Sequence, residues 1–336
     1  MSSNALFPAT IRWGAPRTVA AIVVLVLLAL LPFIAGSIGS DYYVGFGTRV
    51  LIYALAAIGL NFILGFGGMV SLGHAMYVML GAYAVAIPST HGIVSGWLHL
   101  AVAVAATAVL AAGVGAVALR TSGIAFIMIT LAFAQMLYFG AVGLKDYGGD
   151  DGLTVAERSI AALYDLSNPT TLYYVALVTV LLALYLSWRA VLSPFGLVLR
   201  ATKANARRAT ALGHPVFRYQ LTAYVVSAVV CAVAGVLLAN LTKFASPSYG
   251  AWTLSGELIV IVILGGIGTV FGPVVGAIIL LVLEELLPSL VEMVTPDYKA
   301  NWMLLLGLFI FVVALVLKRG VFGSLPDVGK HRGGQG

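Results

Sequence analysis

The length of the apolar runs is what most limits the folds open to this chain. Ten runs follow one another, at roughly 19–38, 48–66, 69–88, 98–119, 123–142, 171–188, 220–241, 255–271, 273–291 and 301–318. A helix needs about 20 apolar residues to cross a bilayer core, and most of these runs reach that length. Only 9% of the 336 residues are charged and 61% are hydrophobic, against about a quarter charged in an ordinary soluble domain. A soluble fold has no place for that much apolar surface, whereas lipid accepts it. A spanning barrel would show short strands of alternating polarity, but these runs are continuous. The expected fold is therefore an all-α integral membrane protein with about ten transmembrane helices. The first run is too long for a signal-peptide core and lacks a clear cleavage site, so it is read as a retained helix. Glycines interrupt or flank the third, eighth and ninth runs, which should be short or broken. If the eighth and ninth formed a re-entrant pair, the count would be eight.

The net charge of +6 sits in the segments between runs. The N-terminal tail carries Arg12 and Arg17. The stretch 189–218 carries Arg189, Arg200, Lys203, Arg207, Arg208 and Arg218 and no acid. The C-terminal tail carries Lys318, Arg319, Lys330 and Arg332 against Asp327. Lys and Arg concentrate in cytoplasmic loops, so these three segments, and Arg120 with them, belong inside. The loop at 143–170 has Asp146, Asp150, Asp151, Glu157 and Asp165 against Lys145 and Arg158 and belongs outside. Ten crossings satisfy all of these placements. The expected organisation is a cytoplasmic tail over 1–18, one membrane domain over 19–318, and a cytoplasmic tail over 319–336. Within the domain, 143–170 is an outer loop and 189–218 a cytoplasmic one.

No soluble catalytic signature is present. There is no phosphate-binding loop, no His-Glu-x-x-His and no cysteine pair. The histidines (His74, His91, His99, His214 and His331) are scattered, and Cys231 is the only thiol. No metal or cofactor is expected on this chain. If it works with ATP, another polypeptide hydrolyses it.

Three stretches carry information. In Gly59–Tyr83, the polar residues Asn61, Ser71, His74 and Tyr77 lie among apolar ones, with Gly65, Gly67, Gly68 and Gly73 close by. Glycine permits close helix contact, and a helix can break inside a membrane where protein or a water-filled cavity satisfies the backbone. The stretch either packs tightly or lines a transport path, and His74 alone fits a packed, hydrogen-bonded histidine better than a proton relay. In Gly265–Gly276, the glycines Gly265, Gly266, Gly268, Gly272 and Gly276 surround Pro273. Gly268, Gly272 and Gly276 recur every four residues, which would give a helix one small-residue face. Glycine-interrupted segments in both halves of a transporter point to a central site. Among the acids, Glu257 falls in the first turn of its run, where the helix dipole favours it. Glu284 and Glu285 fall near an outer interface. The third stretch, Ser193–Tyr219, is a long basic loop. Its alanine spacing predicts a helix over 201–212, stopped by Gly213 with Pro215 beyond. It is either a surface helix at anionic headgroups or an element that docks on a partner.

Taken together, the chain resembles the inner-membrane permeases of branched-chain amino-acid ABC importers, of the LivM type. The resemblance rests on Gly59-Leu-Asn61, Ser71-Leu-Gly-His-Ala75, Gly81-Ala-Tyr83, Phe195-Gly196, Arg200-Ala201, Ala211-Leu-Gly213, Phe217-Arg-Tyr219, Ser246-Pro247, Leu264–Thr269 and Gly272-Pro273. In that family the docking loop usually carries an acid where Thr210 stands here, and the last span often ends in Pro-x-Gly where Lys318-Arg319-Gly320 stands. The resemblance implies a permease subunit with a homologous second permease, two ATPase subunits carrying ATP and Mg²⁺, and a periplasmic binding protein. It makes Leu, Ile and Val the default substrates, with urea, short amides or other amino acids as the alternatives. ATPase coupling is expected at Arg200, Asn205, Arg207, Arg208, Ala211, Leu212 and Gly213. The path is expected at Asn61, Ser71, His74, Tyr77 and Glu257. A stand-alone secondary transporter is the rival class; it would need a paired intramembrane charge site, and the sequence suggests no such pair. An intramembrane enzyme would need clustered polar residues, and none is visible.

Overall fold

A computed structural model describes residues 16–38, 41–155, 157–161, 164–166, 168–294, 302–316 and 320–324. The tails with Arg12, Lys330 and Arg332, and the Lys318-Arg319 pair, lie outside the described residues.

Among the described residues ten apolar helices form the body: α1 (Pro16–Ile38), α2 (Asp41–Asn61), α3 (Ala75–Thr90), α4 (Gly96–Ala118), α5 (Ile124–Gly143), α6 (Pro169–Leu192), α9 (Val216–Thr242), α10 (Trp252–Gly265), α11 (Gly272–Val294) and α12 (Trp302–Val316). Between α6 and α9 come two short helices, α7 (Pro194–Ala204) and α8 (Ala206–Ala211), and α13 (Gly320–Ser324) follows α12. Seven of the ten are long and apolar enough to cross a membrane; α3, α10 and α12 are shorter. The third run therefore begins at Ala75 rather than at 69. The eighth ends at Gly265 rather than at 271, because Gly266 and Gly268 turn the chain with positive φ. Helix α11 is by itself long and apolar enough to cross a membrane, which favours ten crossings over a re-entrant pair of the eighth and ninth runs.

Helices α2 and α9 form the centre. Helix α2 continues into a π-helical turn, Phe62–Gly67, and the crossing it makes is almost wholly buried. Cys231 on α9 is buried against it, its Sγ donating to Ala56 O. The outer faces of α1, α4, α5, α6 and α12 are lined with exposed Leu, Val, Ile and Phe, as lipid-facing surfaces are. Where α3 crosses α9, backbones touch: a Cβ on Gly81 would overlap Ala232 O, and one on Gly235 would overlap Val78 O.

One pattern occurs twice. A long helix (α2, then α9) ends, a segment without α-helix (68–74, then 243–251, the latter holding a 3₁₀ turn at Pro247–Gly250) folds back, and a short helix (α3, then α10) follows. The two short helices start against each other, Ala75 N–H donating to Ser255 Oγ at 2.9 Å. Backbone free of helical bonds survives at that depth because the surrounding protein satisfies it.

The ends of the bundle are distinct. At one, Lys203 of α7 meets Gly65, Gly65 meets Gly268, and Gly266 meets Gly320. There too Arg17 donates to Gly323 O at 2.8 Å. The start of α1, the basic 189–218 loop and α13 thus share one end. At the other, strand β1 (Leu153–Thr154) of the acidic loop pairs antiparallel with β4 (Phe244–Ala245), while β2 (Ile160–Ala161) pairs with β3 (Tyr164–Asp165).

Candidate functional site

The centre is a closed polar junction. Ser227 gives its hydroxyl hydrogen to Gly59 O (2.6 Å), so His74 Nε2 must donate to Ser227 Oγ (3.0 Å). His74 Nδ1 then accepts from the Ser71 hydroxyl (2.9 Å), whose oxygen also takes the Gly73 N–H (3.2 Å). The neutral Nε2–H tautomer satisfies every partner. The ring stands edge-on to Tyr77 and Tyr224, whose hydroxyls bond to each other at 3.1 Å. Ser71, His74, Tyr77, Tyr224 and Ser227 are buried. Of the sequence-predicted path residues, the structure brings Ser71, His74 and Tyr77 together here, around the start of α3.

Asn61 lies elsewhere, between the glycine-rich break after α2 at 65–68 and the one between α10 and α11 at 266–271. Its Nδ2 donates to Thr269 O (2.9 Å) and its Oδ1 accepts from Gly268 N–H (3.0 Å). Gly65 must be glycine because a Cβ would strike Asn61 and the Gly268 backbone. Lys203 of the basic loop completes the unit: its Nζ donates to Gly65 O at 2.6 Å, with its stem over Gly68. Burial pushes the Lys203 ammonium below the usual lysine value. Asn61→Ala removes two hydrogen bonds and strands a donor, which should cost about 2–3 kcal/mol. Denaturant unfolding in detergent reads this directly, and an unchanged midpoint would show that the breaks are held by other contacts.

The glycines at the junction of α10 and α11 do not form one helical face. Gly268 lies in a turn (φ +77°), whereas Gly265, Gly272 and Gly276 let α10 and α11 touch: a Cβ on Gly265 would overlap Gly272 O, and one on Gly276 would overlap Ile261 O. Gly266, also with positive φ, packs against Gly320.

The basic loop is not one helix over 201–212. Ser193 caps α7, with Pro194 at its first position. Asn205 then turns extended (φ −163°) and caps α8 by accepting Arg208 N–H at 2.9 Å. An Asn side chain that can bond its own backbone favours such a cap over helix interior. Gly213 ends α8 with φ +84°. Arg200 faces inward, donating to Gly196 O and Val191 O and so tying α7 to the end of α6. Arg207, Arg208 and Ala211 are exposed, and Leu212 is 71% exposed. Arg200 is thus a bracing residue, while the exposed residues offer a free surface.

Glu257 belongs to a group that sequence reading missed. Helix α10 starts at Trp252, so Glu257 sits in the second turn, beyond the reach of the terminal dipole. Its Oε1 is buried and has no hydrogen-bond partner. Electrostatically it faces Arg49 of α2 and Glu284 of α11. Arg49 Nη2 lies 3.9 Å from Glu284 Oε2, and Arg49 Cζ lies 5.5 Å from the centre of the Tyr53 ring. Glu284, read from sequence as solvated at an interface, is instead paired and only 23% exposed at its side chain. Three helices therefore assemble the intramembrane charge pair that the sequence did not suggest, so lack of such a pair no longer argues against a stand-alone carrier. Arg49 lies about 12 Å along α2 from Asp41 at 1.5 Å per residue, and its side chain is 47% exposed. At the bilayer centre a charge facing hydrocarbon costs ~2.5–3.5 kcal/mol, so an exposed guanidinium on this helix calls for water, headgroups or protein beside it. The available signal was Arg49 standing at the start of an otherwise apolar run. Among the described residues no cluster of His, Cys, Asp or Glu could hold a metal.

Ten apolar helices around two opposed, broken segments define a polytopic membrane transporter. The chain belongs to the family of permease components of branched-chain amino-acid transport systems, whose pattern matches residues 42–315. It is 26% identical over 316 residues to the high-affinity branched-chain amino-acid transport permease LivM of Salmonella typhimurium, covering 87% of this chain and 72% of that one. It is 27% identical over 310 residues to LivM of Escherichia coli K12, covering 85% and 70%. It is also 27% identical over 297 residues to LivH of Escherichia coli K12, covering 83% and 93%. No solved structure matches. Family membership, not the charge count, sets this chain apart from a stand-alone carrier.

Proposed function

We propose that this chain is one of two homologous permease subunits of an ATP-driven importer that moves branched-chain amino acids across a bacterial inner membrane. The observation that supports this most directly is the match to both LivM and LivH over at least 83% of the chain, as one member of a heteromeric pair would show. The chain carries no phosphate-binding loop, so separate ATPase subunits hold ATP and Mg²⁺. A periplasmic binding protein delivers the solute. The basic loop meets the ATPase through α8, and the path runs near the junction of α3 and α10. The test is leucine uptake by the reconstituted complex: it should require ATP and the binding protein. A complex that moves urea or an amide and ignores leucine would overturn the substrate, and uptake without ATP would overturn the class.

The end holding Arg17, the 189–218 loop and α13 faces the cytoplasm, because the uncompensated Lys and Arg residues lie there. With Cys231 replaced, a cysteine at 205 should resist an impermeant thiol reagent in intact cells and one at 146 should react. The reverse pattern would invert the topology.

A further inference from the structure

Next to the charged group lies a narrow apolar cleft lined by Ile52, Tyr53, Val78, Leu238, Leu254 and Leu258. Tyr53 joins the two: its ring borders the cleft and lies beneath the Arg49 guanidinium. Leu254 and Leu258 flank Glu257 on α10 by one turn and one residue. In this conformation the cleft has space for no more than about one water, so any solute would need it to widen. Its walls belong to α2, α3, α9 and α10, the four helices whose breaks and crossings form the centre. The charges beside it are of both signs, and Glu257 Oε1 has no partner. A carboxylate in such a position normally has one.

We propose that Arg49, Glu257 and the cleft beside Tyr53 form a passage site for an aliphatic zwitterion. Arg49 takes the α-carboxylate, Glu257 takes the α-ammonium, and the branched side chain lies between Tyr53, Leu254 and Leu258. Glu284 is a positioning residue that holds Arg49 when the site is empty. The proposal rests on the importer reading above and gives it a chemical basis within the membrane. A guanidinium matches a carboxylate in shape as well as charge, and the ammonium supplies the donor that Glu257 lacks. Apolar walls without further hydrogen-bonding groups suit an aliphatic side chain and disfavour a polar one.

Glu257→Gln separates a ligand role from a structural one. The change is isosteric and breaks no hydrogen bond of Oε1, but it removes the charge that faces Arg49 and Glu284. If Glu257 served only to hold Arg49 in the fold, Glu257→Gln would lower complex yield together with uptake. In proteoliposomes containing both permeases and the ATPases, with saturating binding protein, Glu257→Gln should lower leucine uptake at least tenfold. Complex yield and binding-protein-stimulated ATP hydrolysis should stay within twofold of wild type. Arg49→Gln should do the same, with partial recovery in Arg49→Lys, and Glu284→Gln should lower uptake less than either. Uptake by Glu257→Gln within twofold of wild type would overturn the site, whatever Arg49→Gln does. If the wild-type complex takes up no leucine, the importer reading fails instead, and the two failures are distinguishable.

Discussion

Gly81→Ala and Gly235→Ala should each prevent accumulation of folded protein, although each adds only one methyl group. At both positions the new carbon would meet a backbone carbonyl on the facing helix, Ala232 O or Val78 O, and not the end of a movable side chain. Relief requires α3 and α9 to separate along the crossing that also carries His74, Tyr77 and Tyr224. Overpacking a well-filled core costs ~1–3 kcal/mol; with backbone as the obstacle on both sides, the upper end or beyond is expected. The control is internal. Gly113 on α4 and Gly140 on α5 have nothing within 4 Å of an added Cβ. Alanine there should be neutral or stabilise by about 0.5–1 kcal/mol, because it relieves the entropy cost of helical glycine. Size-exclusion profiles and thermal midpoints in detergent would show opposite signs for the two pairs. Equal behaviour at all four positions would mean that α3 and α9 are not in backbone contact.

Membrane character and helix number were readable because they depend on run length and charge count, which a sequence carries directly. The glycine-rich breaks were also visible, but their partners were not. That Gly65 meets Gly268, and that Asn61 closes the gap, depends on contacts spanning more than 200 positions. Periodicity misled at Gly268: four-residue spacing suits a helix face, yet the positive φ places that glycine in a turn. Asn205 was readable in principle as a cap. Instead, the alanines on either side of it favoured an unbroken helix. The Arg49–Glu284 pair was hidden for another reason. Each charge alone looks like an interface residue at the edge of an apolar run, and only the packing of α2 against α11 brings them together. Lys203 was counted as one more loop charge, and nothing local marks it as the residue that binds Gly65 O.

Ala211→Glu should lower transport at least a hundredfold while the permease remains inserted and paired. An ATP-driven importer must pass motion across a protein boundary, and the basic loop suits that task in two ways. Inwardly it is braced: Arg200 bonds the end of α6, Lys203 bonds the π-helical end of α2, and Ala209 is buried. A displacement of α7 and α8 therefore reaches the break at 65–68, and through Asn61 the break at 266–271. Outwardly it offers Ala211 and Leu212, small and apolar, with Leu212 71% exposed and touching little of its own chain. Gly213→Glu is the weaker test, because any side chain at φ +84° strains the turn even where space is open. Ala211 is helical and exposed, so glutamate there changes only what the surface presents. Binding-protein-stimulated ATP hydrolysis should fall with uptake, since the stimulus travels by the same route. If α8 instead lies on lipid headgroups, Ala211→Glu would matter little, and Arg207→Gln with Arg208→Gln would weaken attachment to anionic membranes. Full uptake and full stimulation in Ala211→Glu would exclude docking through this surface.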